Sequence, residues 1–156
     1  ADAAAEARAM GFAVGLHTAG AYPRRLADLV DSGLVDWVGL DIKALPEHYE
    51  AVVGRPGAGE KAWSCLEALV AARAAGGAEF EVRTTVVPGD VTADDAVEVA
   101  QRVHDAGARV YALQQARSEG TSGDFDVVAP GWDAQCERMA ERIKDLGWDR
   151  FTYRPA

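Results

Sequence analysis

Two spacings of apolar residues alternate along this chain. Ala3 to Met10 follows a helical period and stops at Gly11, a residue suited to a left-handed cap. Phe12 to Leu16 is a short continuous apolar run, read as a strand that opens into His17-Thr18-Ala19-Gly20. Pro23 begins a second helix in its first turn, where a missing N–H costs nothing; Leu26, Leu29 and Val30 form its buried stripe and Gly33 ends it. Asp36 to Ile42 is the next strand, and its nearly unbroken apolar character predicts cover on both faces. A short helix over Pro46 to Val53 leads through the glycine-rich turn Gly54 to Gly59 into a longer one, Glu60 to Ala75, with Ala62, Leu66, Leu69 and Val70 on one side. Phe80 to Val87 is rich in β-branched residues and reads as a strand, punctuated by Pro88-Gly89. Thr92 then caps a helix, with Asp95 three residues on in a capping-box arrangement and Ala96, Val99, Ala100 and Val103 as its core stripe. Arg109 to Leu113 is a strand leading to Gln114-Gln115, Ser118 to Gly131 a polar loop, Asp133 to Leu146 a helix using Met139, Ala140 and Ile143, and Phe151 to Tyr153 a candidate final strand.

Strands that alternate with helices imply right-handed crossovers and a parallel sheet, so the fold class is α/β. No linker divides the chain, and residues 1–156 read as one domain built of parallel β/α units, part of a barrel. In such folds ligands sit at the carboxyl ends of the strands. Four segments there turn from apolar to polar: His17-Thr18-Ala19-Gly20, Asp41-Ile42-Lys43, Arg83-Thr84-Thr85 and Gln114-Gln115.

Composition narrows the function classes. A net charge of −9 without a basic stripe argues against nucleic acid as a partner. No apolar run is long enough to cross a bilayer, and the first ten residues, with Asp2, Glu6 and Arg8, are no signal peptide. The two cysteines, Cys65 and Cys136, lie in expected helices with no disulfide spacing and read as small buried hydrophobes, so a cytoplasmic location is expected. The chain opens on a helical pattern without an initiator Met, which suggests upstream sequence.

Each candidate residue has a plain reading beside the functional one. Asp41 and Lys43, two apart on one strand, point to the same side about 7 Å apart along the chain. They form either a structural ion pair or half of a ligand site. Arg83 and Thr85 repeat that alternation, while Thr84 points toward the helices; Arg83 suits a bidentate contact to a carboxylate or phosphate, or a salt bridge to a neighbour such as Asp41. His17 alone reads as a strand-end histidine, and Thr18-Ala19-Gly20 as a turn that brings backbone N–H groups near a ligand or simply joins strand to helix. His48 and His104 have no partner at metal-ligand spacing and read as structural or surface residues. Gln114 and Gln115 serve either a ligand or backbone groups at the strand ends. Trp63, Trp132, Trp148 and Tyr153 read as packing residues. Gly54-Arg55-Pro56-Gly57-Ala58-Gly59-Glu60-Lys61 looks like a phosphate-binding P-loop but fails as one: Glu60 separates the last glycine from Lys61, no Ser or Thr follows, and helix rather than strand precedes it.

Taken together, GLHTAG (15–20), DWVGLDIKA (36–44), FEVRTTVVPG (80–89) and YALQQAR (111–117) stand in an order and spacing that resembles the radical S-adenosylmethionine activating enzymes, above all the anaerobic ribonucleoside-triphosphate reductase activating proteins. The resemblance runs from about Ala5 to Arg117. It implies that Asp41 and Lys43 contact S-adenosylmethionine, that Arg83, with Thr85 beside it, helps hold the same cofactor, that His17 and Thr18 lie near it, and that Gln114 and Gln115 line its pocket. Ala19 stands where the family usually has Asn, so a side-chain role there is not carried over. The cofactor carries a carboxylate, an ammonium and a sulfonium, and a pocket with both signs of charge suits it.

The resemblance also implies a six-unit radical S-adenosylmethionine barrel, of which this chain holds about the last four units. The family reaction cleaves S-adenosylmethionine reductively, with an electron from a donor such as flavodoxin or ferredoxin, and abstracts hydrogen from a glycine of a partner glycyl radical enzyme. It needs a [4Fe–4S] cluster held by a C-x3-C-x2-C loop, and neither that loop nor the preceding GGEP-like strand end is present here. The expectation is that both lie upstream of Ala1, that the parent protein is the enzyme, and that this chain alone assembles no cluster. Two other classes stay open: a Schiff-base lyase of aldolase type using Lys43, and a non-catalytic domain that binds a ligand or partner.

Overall fold

A computed structural model describes residues 1–118, 127 and 129–156. Most of the expected loop over Ser118 to Gly131 lies outside them. The elements run α1 (Asp2–Ala9), β1 (Gly15–Thr18), α2 (Pro23–Asp31), β2 (Trp37–Asp41), a 3-10 turn (Pro46–His48), α3 (Tyr49–Val53), α4 (Ala58–Ala74), β3 (Glu79–Val86), α5 (Val91–Asp105), β4 (Val110–Gln115), α6 (Trp132–Lys144) and β5 (Arg150–Arg154). The five strands form one sheet in chain order, every neighbouring pair parallel. Sequential parallel order with right-handed crossovers places the intervening helices on one side, the arrangement of a partial β/α barrel. No helix among the described residues is long and apolar enough to cross a membrane.

The core lies between sheet and helices. Val38, Leu40, Ile42, Val82, Val86, Tyr111 and Leu113 are buried there with Leu66 and Leu69 of α4, Val99 and Val103 of α5, and Ile143 of α6. Two of its polar members are linked in series: the Tyr111 hydroxyl donates to Thr84 Oγ1 at 2.7 Å, and the Thr84 hydroxyl donates to the carbonyl of Ile42 at 2.8 Å. Thr84 thus faces the helices as expected, and the pair ties three strands together beneath the rim.

Three expectations are corrected. β1 runs Gly15–Thr18 rather than 12–16, because an edge strand forms only where β2 offers a ladder, and pairing starts at Gly15 opposite Trp37. Phe12 is left exposed, and Asp36 sits before β2, its carboxylate accepting Val14 N at 2.7 Å. The helix cap at α5 is Asp90, which accepts Thr92 N at 2.8 Å. The Thr92 hydroxyl instead accepts Val87 N, and Asp95 is buried and turned to the β2–α3 loop, where it accepts Leu45 N at 3.0 Å and bonds His48 Nδ1 at 2.9 Å. Finally, β2 is not sandwiched between helices: its second face is roofed by side chains, with Trp37 and Arg83 lying over Gly39.

Candidate functional site

Side chains that do not face the helices form an open face of the sheet. Strand registry sets its rows: His17 beside Gly39 beside Glu81, then Asp41 beside Arg83 beside Ala112, then Thr85 beside Gln114 beside Arg154. Asp41 and Arg83 are therefore direct cross-strand neighbours. Arg83 Nε and Nη2 both reach Asp41 Oδ1 at 2.8 Å, which leaves Oδ2 free of partners among the described residues.

Arg83 also extends in the opposite direction, to His17 on β1, with Nη1 2.7 Å from His17 Nδ1. Strands lie about 4.8 Å apart, so this contact crosses β2 entirely. It is possible only because position 39 is glycine. A Cβ there would lie 3.1 Å from Arg83 Cζ, 2.9 Å from His17 Nδ1 and 2.7 Å from the Trp37 ring. A guanidinium has no acceptor, so His17 Nδ1 must accept, which fixes a neutral ring with its proton on Nε2. The Trp37 ring packs edge-on against His17 with centroids 5.2 Å apart. The cluster thus presents a carboxylate oxygen, an imidazole N–H and an aromatic surface at the strand ends. In the row of His17 and Gly39, buried Glu81 accepts from Arg154 at 2.9 Å.

The other expected residues separate from this group. Thr85 and Gln114 follow it in the next row of the open face. Thr18 lies opposite Leu40 and its hydroxyl accepts Gly20 N at 3.1 Å, closing the turn after β1. Gly20 needs its φ of +75° and its missing side chain, since a Cβ would lie 2.7 Å from Ala62 Cα of α4. Gln115 is on the helix side, donating to Asp133 at 3.2 Å and accepting Ala156 N at 2.8 Å. Lys43 makes no ion pair with Asp41; it lies beyond the end of β2 and lines a separate cavity with Tyr49, Arg55 and Lys61. Its backbone is held by Tyr49, whose hydroxyl accepts Lys43 N and donates to the Asp41 carbonyl, both at 3.3 Å; burial pushes that phenol up to about 12.

Trp37, Gly39, Glu81 and Arg154 belong to the open face and escaped the sequence reading. The period-two series Trp37, Gly39, Asp41 carried the signal for the first two.

No protein-family model matches the chain. It is similar to a protein of Methanocaldococcus jannaschii named "Putative glycyl-radical enzyme activating enzyme", with 28% identity over 109 residues. The match covers 70% of this chain and 45% of that protein, so the chain spans less than half the length of this relative.

Proposed function

We propose that this chain is the S-adenosylmethionine-binding portion of a radical S-adenosylmethionine barrel enzyme that activates a glycyl radical enzyme, with an anaerobic ribonucleoside-triphosphate reductase as the target. The observation that carries this reading is the Asp41–Arg83–His17 cluster at the strand carboxyl ends. The similarity to the named activating enzyme supports it. Asp41 Oδ2 receives the ammonium or a ribose hydroxyl, and the outer N–H groups of Arg83 with His17 Nε2–H receive the carboxylate. Thr85 and Gln114, in the next row, extend the site toward the remaining polar groups. Bound there, S-adenosylmethionine would supply the precursor of the radical that abstracts hydrogen from the partner's glycine, with flavodoxin or ferredoxin as the source of the reducing electron.

The residues of this chain do not fit a [4Fe–4S] cluster. Cys65 and Cys136 are fully buried on α4 and α6, and burial raises both thiols, Cys65 to about 11, whereas cluster ligands are thiolates. Among the described residues no group of three His, Cys, Asp or Glu side chains could hold a metal. No step is assigned to a cluster here. The Schiff-base reading gains nothing from the structure, because Lys43 has no acid or base partner among the described residues.

Isothermal titration of the protein with S-adenosylmethionine tests the proposal. Saturable binding is expected, weakened about tenfold or more in Arg83→Ala and in Asp41→Asn, the range for losing a charge-assisted hydrogen bond. No binding to the folded protein, or equal affinity in both variants, would sink it.

A further inference from the structure

One charged cavity lies apart from the Asp41–Arg83–His17 cluster, and it takes Lys43, which the resemblance assigned to S-adenosylmethionine, away from that cluster. It has a volume of about 610 Å³ and lies beside the carboxyl ends of β1 and β2. Its lining comprises Lys43, Arg55 and Lys61 with Tyr22 and Tyr49, set among alanines, Val53 and Pro56, and includes no carboxylate. The chain holds three lysines in all and carries a net charge of −9, yet two of those lysines meet here with an arginine. None of the three cations has an ion-pair partner among the described residues, a state they share with other surface cations such as Arg24, Arg138 and Lys144, but only here do three such groups line one cavity with no carboxylate in its lining.

We infer that this cavity binds the phosphoryl group of a small molecule, held between Lys43, Arg55 and Lys61. Three like charges that line one cavity with no carboxylate in its lining are stabilised by a ligand that brings more than one negative charge. A single carboxylate would neutralise one of the three. Phosphoryl oxygens suit the arrangement, since the guanidinium binds them bidentately and the two ammonium groups act as point charges from either side. The 17-residue helix α4 starts at Ala58, on the cavity wall, after the glycine cap Gly57, and the Glu60 carboxylate in its first turn offsets part of the field at that end. The Gly54–Lys61 segment thus lacks a P-loop's strand, spacing and magnesium hydroxyl, yet it delivers two cations and a helix start to one wall. The Tyr49 hydroxyl bonds fix the strand end that bears Lys43 opposite them. The cavity is far larger than a phosphate ion and in the usual range for small-molecule sites, which leaves room for an organic part beside the phosphoryl group. The exposed ring of Tyr22, backed by Arg25 at 5.2 Å, offers that part a flat surface.

This inference stands apart from the activase reading. The test is isothermal titration of the protein with inorganic pyrophosphate, then with ADP and with ribose 5-phosphate. Pyrophosphate is expected to bind saturably and to weaken as salt rises. Arg55→Ala and Lys61→Ala should each weaken it about tenfold or more, and Lys61→Arg should retain it. Both side chains are exposed, so these variants should keep the native melting transition. Their S-adenosylmethionine affinity should match wild type, whereas Arg83→Ala should lose S-adenosylmethionine and keep pyrophosphate. Tighter binding of ADP than of ribose 5-phosphate identifies a nucleotide; the reverse identifies a sugar phosphate. Absence of pyrophosphate binding, or equal binding in the alanine variants, overturns the inference. So does a loss of S-adenosylmethionine affinity in Arg55→Ala without any pyrophosphate binding, which would make the cavity an extension of the cofactor pocket.

Discussion

Leu40 and Asp41 are consecutive residues of β2, and they belong to two different chemistries. Leu40 faces the helices, is fully buried and has only apolar packing to contribute. Asp41 faces the open side, with its side chain about a third exposed, and spends one oxygen on Arg83 while keeping the other. The contrast holds across the sheet. On the covered face, buried polar groups such as Tyr111–Thr84–Ile42 are closed off by partners within the chain, the Trp132 indole N–H being an exception. On the open face, the Asp41–Arg83 pair at the rim retains unused capacity toward solvent, while Glu81 deeper in the sheet is closed off between Arg150 and Arg154. A polar group fully satisfied internally stabilises the fold and can do little else; one half satisfied is available to a ligand. The covered face should therefore govern stability and the open face binding.

Leu40→Ala is the most severe test of that division. Truncating a fully buried leucine removes its transfer energy and leaves a cavity beneath the rim, a loss of about 2–5 kcal/mol. Urea denaturation should show the drop in midpoint, while the folded fraction binds S-adenosylmethionine as wild type does. A variant as stable as wild type but deficient in binding would break the comparison.

Gly39→Ala sharpens it from the other side. The added Cβ meets Trp37 and His17 at distances no real contact sustains and Arg83 at a tight one, but all three are outer parts of side chains that can swing toward solvent. Stability should change by only about 1 kcal/mol. The guanidinium, however, can no longer span β2 between His17 and Asp41, so S-adenosylmethionine affinity should fall further than stability does. Equal affinity in wild type and Gly39→Ala would show that the Arg83 bridge is packing alone.

The covered face was the more legible of the two in the sequence. Val99, Ala100 and Val103, or Leu66 and Leu69, announce themselves by helical spacing, and the burial they predict is found. Asp41, Arg83 and Thr85 could be placed at strand ends by the same logic of alternation. The bridge to His17 could not, because it depends on Gly39 meeting His17 in register, and registry is a property of strand pairing rather than of any one strand. Gln115 illustrates the converse: adjacent to Gln114 in sequence, it differs by one step of a period of two and ends on the opposite side of the sheet. Asp95 resembled a capping residue by spacing alone, and a tertiary contact 50 residues away claimed it.

The smallest expected effect lies at the far end of the sheet, at Asp36. This carboxylate is held below its ordinary value of 3.8, first by the Val14 N–H and second by Arg8, whose Nη1 lies 2.7 Å from both oxygens. A group whose folded-state pKa is depressed favours the fold above the unfolded value, and that contribution is lost as pH falls through the folded value. Acid unfolding of wild type should therefore steepen below about pH 3.8, and Asp36→Asn should flatten that segment of the curve. Arg8→Ala should flatten it less, since the backbone N–H is the larger cause and remains. Helix α1 buries none of its residues, so Arg8 is a principal tether to the sheet, and salt should weaken that tether while leaving the Val14 hydrogen bond intact. At neutral pH neither substitution should alter S-adenosylmethionine affinity, because Asp36 precedes β2 at the end opposite to the Asp41 rim. A shift in affinity from Asp36→Asn would mean that the lower edge of the open face communicates with the upper one, and the independence of the two ends would have to be given up.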